Sequence, residues 1–166
     1  MKQLKNKSLV MAAYILLSVF SIDCSSGQQI SSTPADITQA INNSQWIFSA
    51  NYAVPSFGNS RNLTGEYSVK CNKDTLSVAL PYFGKLNSPA GAMSGNPLDF
   101  KSTNINLSKE IKKDGGWLIT IKPNNPEVQS MDFTFFDNGS AQLNVLMTNR
   151  SGISFNGKVM PAVLAK

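Results

Sequence analysis

Apolar side chains recur at every second position through most of this sequence, from Trp46 to Val159. In one run, Met131, Phe133 and Phe135 alternate with polar residues. Successive side chains of a β-strand point to opposite faces of a sheet, so this period predicts strands with one buried and one solvated face. The chain is therefore expected to fold mainly as antiparallel β-structure.

Turn-forming residues divide the pattern into about eight predicted strands. Asp137, Asn138 and Gly139 form the strongest hairpin signal, because these residue types tolerate a positive φ. The apolar phase also slips by one position between Phe100 and Ile105, which indicates a β-bulge. Further turns are predicted at residues 54–60, 72–74, 109–116 and 149–152, and a loop rich in glycine and proline at 84–97.

A single helix is predicted before the first strand. Thr33 offers a capping hydroxyl, Pro34 suits the first helical turn, and Ile37 and Ile41 form an apolar stripe. The predicted fold class is mainly β, at the margin of α+β. About eight antiparallel strands form a curled meander, a partial barrel or a two-layer sandwich, and the N-terminal helix covers an open side or end.

The N-terminus has the pattern of a secretory signal. Residues 1–7 carry three lysines, and residues 9–22 form an apolar stretch of 14 residues. A helix needs roughly 20 residues to span a membrane, so this stretch is too short to do so. We therefore predict a signal peptide at 1–23, a polar tether at 24–33 and a single β-rich domain at 34–166.

Cys24 follows the apolar stretch in the sequence Ser-Ile-Asp-Cys-Ser-Ser-Gly, which resembles the lipobox of bacterial lipoproteins. This predicts a diacylated Cys24 that anchors the protein to a membrane, since two acyl chains give stable attachment. The alternative is plain secretion after cleavage near Ser26. The expected location is the periplasm or cell envelope, with the outer membrane as the expected anchoring surface.

The composition excludes several classes of chemistry. There is no histidine, which removes Ser-His and Cys-His nucleophile pairs and histidine metal sites. The net charge of +5 falls to +3 when residues 1–23, which hold three lysines and Asp23, are removed. That charge is too small for a nucleic-acid partner. No cofactor and no metal site are predicted.

Cys71 is the only thiol left if Cys24 carries lipid. It occupies the apolar phase of its predicted strand, so a buried small hydrophobe is favoured over a reactive thiol. Glu66 and Asp132 are the acids from which a glycosidase-type carboxylate dyad could be assembled across strands. Solvated surface acids are the favoured interpretation, and the protein is expected not to be an enzyme.

The binding candidates lie in a loop and a turn. Tyr82, Phe83 and Lys85 stand at the start of the long loop of small residues, which could line a concave mouth. The alternative is that both aromatic rings pack and the loop only connects. Arg150 in its tight turn can clamp a carboxylate or phosphate, or else bonds local carbonyls. The sequence Asp-Thr-Leu around Thr75 resembles an acceptor for bacterial protein O-glycosylation.

Four ordered motifs carry a family resemblance. They are residues 65–69 (Gly-Glu-Tyr-Ser-Val), 80–85 (Leu-Pro-Tyr-Phe-Gly-Lys), 138–141 and 149–157. With them the chain resembles the secreted, Bacteroides-type family called domain of unknown function 4251. The resemblance implies export and a β-rich fold, and it implies no activity. In that family the loop after Gly84 usually continues with an arginine and two tyrosines near a proline, where this chain has Lys85, Asn87, Ser88, Pro89 and Ala90.

These observations lead to one expected function with two alternatives. The expected function is that of an envelope lipoprotein whose β domain binds a small molecule, glycan, peptide or envelope protein without catalysis. The first alternative is a structural or assembly factor that stabilises another envelope protein and has no ligand pocket. The less favoured alternative is a carboxylate-dependent hydrolase.

Overall fold

The computed structural model describes residues 33–87, 95–113 and 115–162. The predicted signal peptide, Cys24 and almost all of the predicted tether lie outside these residues, as does the middle of the predicted loop at 84–97. The segment Ser32–Lys166 forms one compact unit.

Helix α1 spans Pro34–Asn42, as the sequence predicts. The Thr33 hydroxyl accepts from the Asp36 backbone N–H, and the Asp36 carboxylate accepts from the Thr33 backbone N–H, which is a reciprocal capping box. Ile37, Ala40 and Ile41 are buried. Thr33 therefore belongs to the start of the helix rather than to the tether. Among the described residues, no helix has the length and apolar character needed to cross a membrane.

The described residues form nine strands in one sheet, and every neighbouring pair is antiparallel. Their order across the sheet is β4-β3-β2-β1-β9-β8-β7-β6-β5. The sheet is curled into a half-barrel, so the predicted mainly β fold is confirmed in its partial-barrel form. The strands are β1 (Gln45–Pro55), β2 (Arg61–Asn72), β3 (Thr75–Ala79), β4 (Asp99–Thr103), β5 (Asn106–Ile111), β6 (Trp117–Lys122), β7 (Val128–Phe135), β8 (Ser140–Met147) and β9 (Ile153–Pro161).

Contacts between aromatic rings show how strongly the sheet is curled. Trp46 on β1 and Phe133 on β7 have ring centroids 4.9 Å apart, although β8 and β9 lie between those strands. On a flat sheet three strand spacings would separate the two strands by about 14 Å. The sheet therefore bends so that its inner face closes on itself. The buried inner face includes Trp46, Phe48, Leu76, Ile119, Met131, Phe133, Phe135, Leu143 and Phe155.

The predicted bulge between Phe100 and Ile105 is a break between two strands. Asn104 has φ 57°, a left-handed conformation that ends β4, and only Asn104 and Ile105 separate β4 from β5. Strands β4 and β5 form the two opposite edges of the sheet. Because neighbouring strands alternate in direction and the sheet has nine strands, the two edge strands run in the same direction. One nearly continuous run of chain thus supplies both edges. This break accounts for nine strands where about eight were predicted.

Most predicted turns are confirmed, and two are corrected. The predicted turn at 54–60 was wrong for its first two residues, because β1 continues to Pro55. The hairpins at 72–74 and 137–139 form, with positive φ at Lys73 and Gly139. The predicted turn at 109–116 was wrong for its first three residues, because β5 continues to Ile111. Among the described strands β5 pairs only with β6. As an edge strand it carries charged and exposed side chains, which give it the composition of a turn.

Candidate functional site

The two ends of the half-barrel differ. Helix α1 lies at the end that holds the β7–β8 turn, because the Ile37 Cδ1 atom is 3.2 Å from the position of a Cβ added to Gly139. At the other end of β8, about 24 Å away for a strand of this length, three segments meet. We call them the distal end: residues 56–60 after β1, residues 80–87 after β3, and residues 148–152 before β9.

Tyr82 and Ser151 hold two of these segments together. The Tyr82 hydroxyl donates to the Ser151 carbonyl oxygen at 2.7 Å. The Lys85 backbone N–H donates to the Ser151 hydroxyl at 2.9 Å, and the Ser151 N–H donates to the Lys85 carbonyl at 2.9 Å. Leu86 and Arg150 form an antiparallel β-bridge next to these bonds. The start of the predicted loop is therefore fixed on the β8–β9 turn.

Gly84 makes this close approach possible. A Cβ atom at this position would collide with the hydroxyl groups of Tyr82 and Ser151. In the motif Tyr-Phe-Gly-Lys, the tyrosine thus places its hydroxyl against the β8–β9 turn, and the glycine has no side chain that would block this contact.

The third segment is joined to the same turn. The Ser56 hydroxyl donates to the Gly152 carbonyl oxygen at 2.7 Å, and the Ser56 backbone N–H donates to the same oxygen at 3.2 Å. The segment after β1 is therefore held beside residues 80–87.

Arg150 is built into the fold of the distal end. Its side chain is only 9 % exposed, and its Nε atom lies 3.2 Å from the Glu127 Oε2 atom. Its guanidinium carbon lies 5.4 Å from the centroid of the Tyr82 ring. The arginine thus ties the β8–β9 turn to the loop before β7, and Tyr82 packs against it.

Two further cations at the distal end lie over aromatic rings. The Arg61 guanidinium carbon is 4.2 Å from the centroid of the Phe83 ring, and the Lys85 Nζ atom is 5.5 Å from that of Phe57. Arg61 and Lys85 are exposed, Phe83 is half-buried and Phe57 is 56 % exposed. Leu86 next to Lys85 is 47 % exposed. The distal end therefore presents positive charge beside apolar surface.

The structure brings the four predicted binding residues together. Tyr82, Phe83, Lys85 and Arg150 all lie at the distal end, although the sequence offered the loop and the turn as separate candidates. Sequence reasoning missed Phe57, Arg61, Glu127 and Ser151. An aromatic residue inside a predicted turn was the available signal for Phe57, because turns are usually polar.

The carboxylates suggested as a dyad are not brought together. Glu66 lies on β2 and Asp132 on β7, and three strands separate them in the sheet. The Asp132 carboxylate accepts from the Thr120 hydroxyl at 2.8 Å and from the Ser130 hydroxyl at 3.3 Å. Within the described ranges, no group of three or more acidic or cysteine side chains is placed to hold a metal ion.

The remaining predicted residues lie away from the distal end. Thr75 opens β3 and is half-buried, so it follows the turn instead of lying in it. Cys71 is buried, as predicted, and has no disulfide partner among the residues that the structure describes. Burial raises the pKa of its thiol to about 12, and the charge of Lys109 opposes this shift. At neutral pH the Cys71 thiol is therefore protonated and a poor nucleophile.

A shallow groove of about 380 Å³ lies elsewhere, along β5 and β6. Its lining has one lysine and no aromatic ring, so it lacks the grouped charge and apolar surface of the distal end. The lining residues are Asn106, Leu107, Ser108, Thr120 and Lys122.

Comparison with known proteins agrees with the motifs and the fold. The family model described as "Domain of unknown function (DUF4251)" matches residues 28–159. A crystal structure of a DUF4251 family protein from Bacteroides eggerthii DSM 20697 is similar, with a TM-score of 0.56 and 14 % sequence identity. The match covers 77 % of this chain and 87 % of that chain. At this identity the likeness concerns the fold alone. No curated protein matches the sequence significantly.

Proposed function

The chain belongs to the DUF4251 family, a family of unknown function, and from this premise we propose that its distal end is a ligand-binding site. The proposed protein is a non-enzymatic lipoprotein of the cell envelope, anchored through Cys24. Its ligand is a small molecule, a glycan or a peptide of the envelope. Loops held by a rigid sheet are where binding sites are usually found.

One observation carries the proposal. Segments far apart in sequence are fastened together at the distal end, and the hydrogen bond from Tyr82 to Ser151 spans 69 positions. The side chains of Tyr82 and Ser151 that form these hydrogen bonds are half-buried or buried, whereas Phe57, Lys85 and Leu86 remain exposed beside them. Exposed aromatic and apolar side chains grouped on a braced loop support a binding surface there.

Location in the envelope rests on the N-terminal sequence. A lysine-rich start, a short apolar stretch and Cys24 in a lipobox-like context support export and lipidation. The ligand is therefore expected among molecules of the envelope.

A structural or assembly role remains the second candidate, and one observation favours it. Ile111 is 81 % exposed at the end of β5, an edge strand that has no strand partner on one side within the described part of the chain. Such an edge can pair with a strand of another protein.

Binding is tested with the segment 28–166, which contains the compact unit and the whole family match. Thermal unfolding is followed with glycan, lipid and peptide fractions of the envelope, and each stabilising fraction is repeated with Phe57→Ala. Met160→Ala is the matched control, because Met160 is 38 % exposed but lies near the end of β9, where it pairs with Ile47 at the opposite end of the sheet from the distal end. We expect stabilisation to be lost in Phe57→Ala and kept in Met160→Ala.

Equal stabilisation of both variants would remove the distal end as the binding site. The assembly role is separated by crosslinking in cells. One stoichiometric protein partner, lost in Ile111→Lys and accompanied by no ligand-induced stabilisation, would favour that role over the proposed one.

A further inference from the structure

Two of the three cation-aromatic pairs of the distal end are reciprocal. The segment after β1 provides Phe57, and Arg61 follows it as the first residue of β2. The segment after β3 provides Phe83 for Arg61, and Lys85 for Phe57. We call these four residues the clasp. Each side of the clasp thus contributes one ring and one cation, and each cation lies over the ring of the other side.

The clasp cations have no acidic partner in the described part of the chain. Neither Arg61 nor Lys85 has a carboxylate within ion-pair distance there, and Glu127 is paired with Arg150. A cation held against the negative face of a ring keeps its charge, because the ring carries a quadrupole and no net charge. The clasp therefore attracts an anion from outside the domain.

The apolar surface beside these charges narrows the ligand class. Phe57 and Leu86 are about half-exposed, and an ion without an apolar body, such as phosphate, would leave them uncovered. A sugar ring presents C–H groups on its faces that pack on aromatic and aliphatic side chains. In a uronic acid the same ring carries a carboxylate, which the planar guanidinium of Arg61 can bind through two hydrogen bonds.

From these observations we infer that the clasp binds acidic sugars of the uronic-acid type within a glycan chain. The inference rests on the proposed function and names the ligand class of that site. A glycan is favoured over an anionic lipid surface, because the faces of a sugar ring can pack on the exposed Phe57 ring that lies beside the Lys85 cation.

The test is isothermal titration of the segment 28–166 at low ionic strength with three probes. The first is an oligogalacturonate, the second is its methyl ester, which keeps the rings and removes the charge, and the third is inorganic phosphate. We expect the acidic oligomer to bind at least about tenfold more tightly than either of the others, because only it engages both the cations and the rings.

Variants locate the binding. Arg61→Met and Lys85→Met each keep a long side chain without charge, and we expect each to weaken oligogalacturonate binding about tenfold or more. The matched control is Lys158→Met, an exposed β9 position that pairs with Ser140 near the β7–β8 turn, where affinity should not change. Thermal unfolding of each variant checks that the fold is kept.

Equal affinity for the acid and its ester would overturn the inference, as would equal affinity in the clasp variants and the control. Binding to phosphatidylglycerol vesicles without binding to oligogalacturonate would also overturn it. Failure of this inference can be distinguished from failure of the proposed binding site. If an envelope fraction stabilises the protein and this effect is lost in Phe57→Ala, but no acidic sugar binds, the inference fails while the proposed site stands.

Discussion

At the scale of single residues, Cys71 makes a prediction about pH. Burial raises the pKa of its thiol from about 9 to about 12 in the folded protein. Between these values the unfolded chain loses the thiol proton while the folded protein keeps it, so stability falls as the pH rises. We expect the free energy of unfolding to fall by about 2 kcal/mol more than in Cys71→Ala between about pH 8 and about pH 10.5.

Urea denaturation under reducing conditions measures this difference. Lysines and tyrosines that titrate in the same range are common to both proteins, so the comparison isolates the thiol. Parallel pH profiles for the two proteins would show that the folded thiol ionises normally and is not buried as described.

Gly84 makes a second prediction at this scale. A methyl group there would push apart the Tyr82 and Ser151 hydroxyls, so Gly84→Ala should lower stability by about 1–3 kcal/mol. It should also speed amide exchange at Lys85 and Asn87, whose N–H groups donate to the β8–β9 turn. Gly95→Ala is the control, because no atom of the described residues lies within 4 Å of a Cβ added there. Unchanged exchange at both amides in Gly84→Ala would contradict the described fastening.

At the scale of elements, Lys109 connects the edge strand β5 to helix α1. Its Nζ atom donates to the carbonyl oxygens of Asn42 at 2.8 Å and Ile41 at 3.2 Å, at the end of the helix. A cation at a helix C-terminus interacts favourably with the helix dipole and its unpaired carbonyls. We expect Lys109→Met to lower the free energy of unfolding by about 1–3 kcal/mol.

The control for Lys109 is Lys101→Met on the other edge strand, β4. The Lys101 side chain is exposed and has no hydrogen bond or ion pair within the described ranges, so its loss should change stability by less than about 0.5 kcal/mol. Chemical denaturation compares the two variants directly. Similar stabilities would mean that the helix end does not depend on the lysine.

The helix and strands also show which parts of the fold can be predicted from the sequence. Alternation and turn residues predicted the helix and most of the strands, because these signals are local. They did not predict the end of β4, where a left-handed Asn104 looks like a phase slip in the sequence. They also misplaced residues 109–111, because an edge strand with exposed charges resembles a turn.

At the scale of the whole molecule, the sequence could not predict that the segments of the distal end form a single site. Tyr82, Phe83, Lys85 and Arg150 were chosen one segment at a time, and nothing local indicates that Tyr82 meets a residue 69 positions away. Only the curl of the sheet and its strand order bring these segments together. Phe57 was missed for the same reason, since its importance depends on the lysine that the fold places beside it.

The two ends of the half-barrel carry different groups. Helix α1 and Lys109 lie at one end, whereas the exposed ring of Phe57 and the cations of the clasp lie at the distal end.

The central claim is that ligands bind at the distal end, and chemical-shift mapping tests it most directly. In nitrogen-15 correlation spectra of the segment 28–166, titrated with a stabilising envelope fraction, we predict shifts confined to residues 56–61, 82–87 and 149–152. Shifts centred on helix α1 or on the groove along β5 and β6, with the distal end unchanged, would contradict the account.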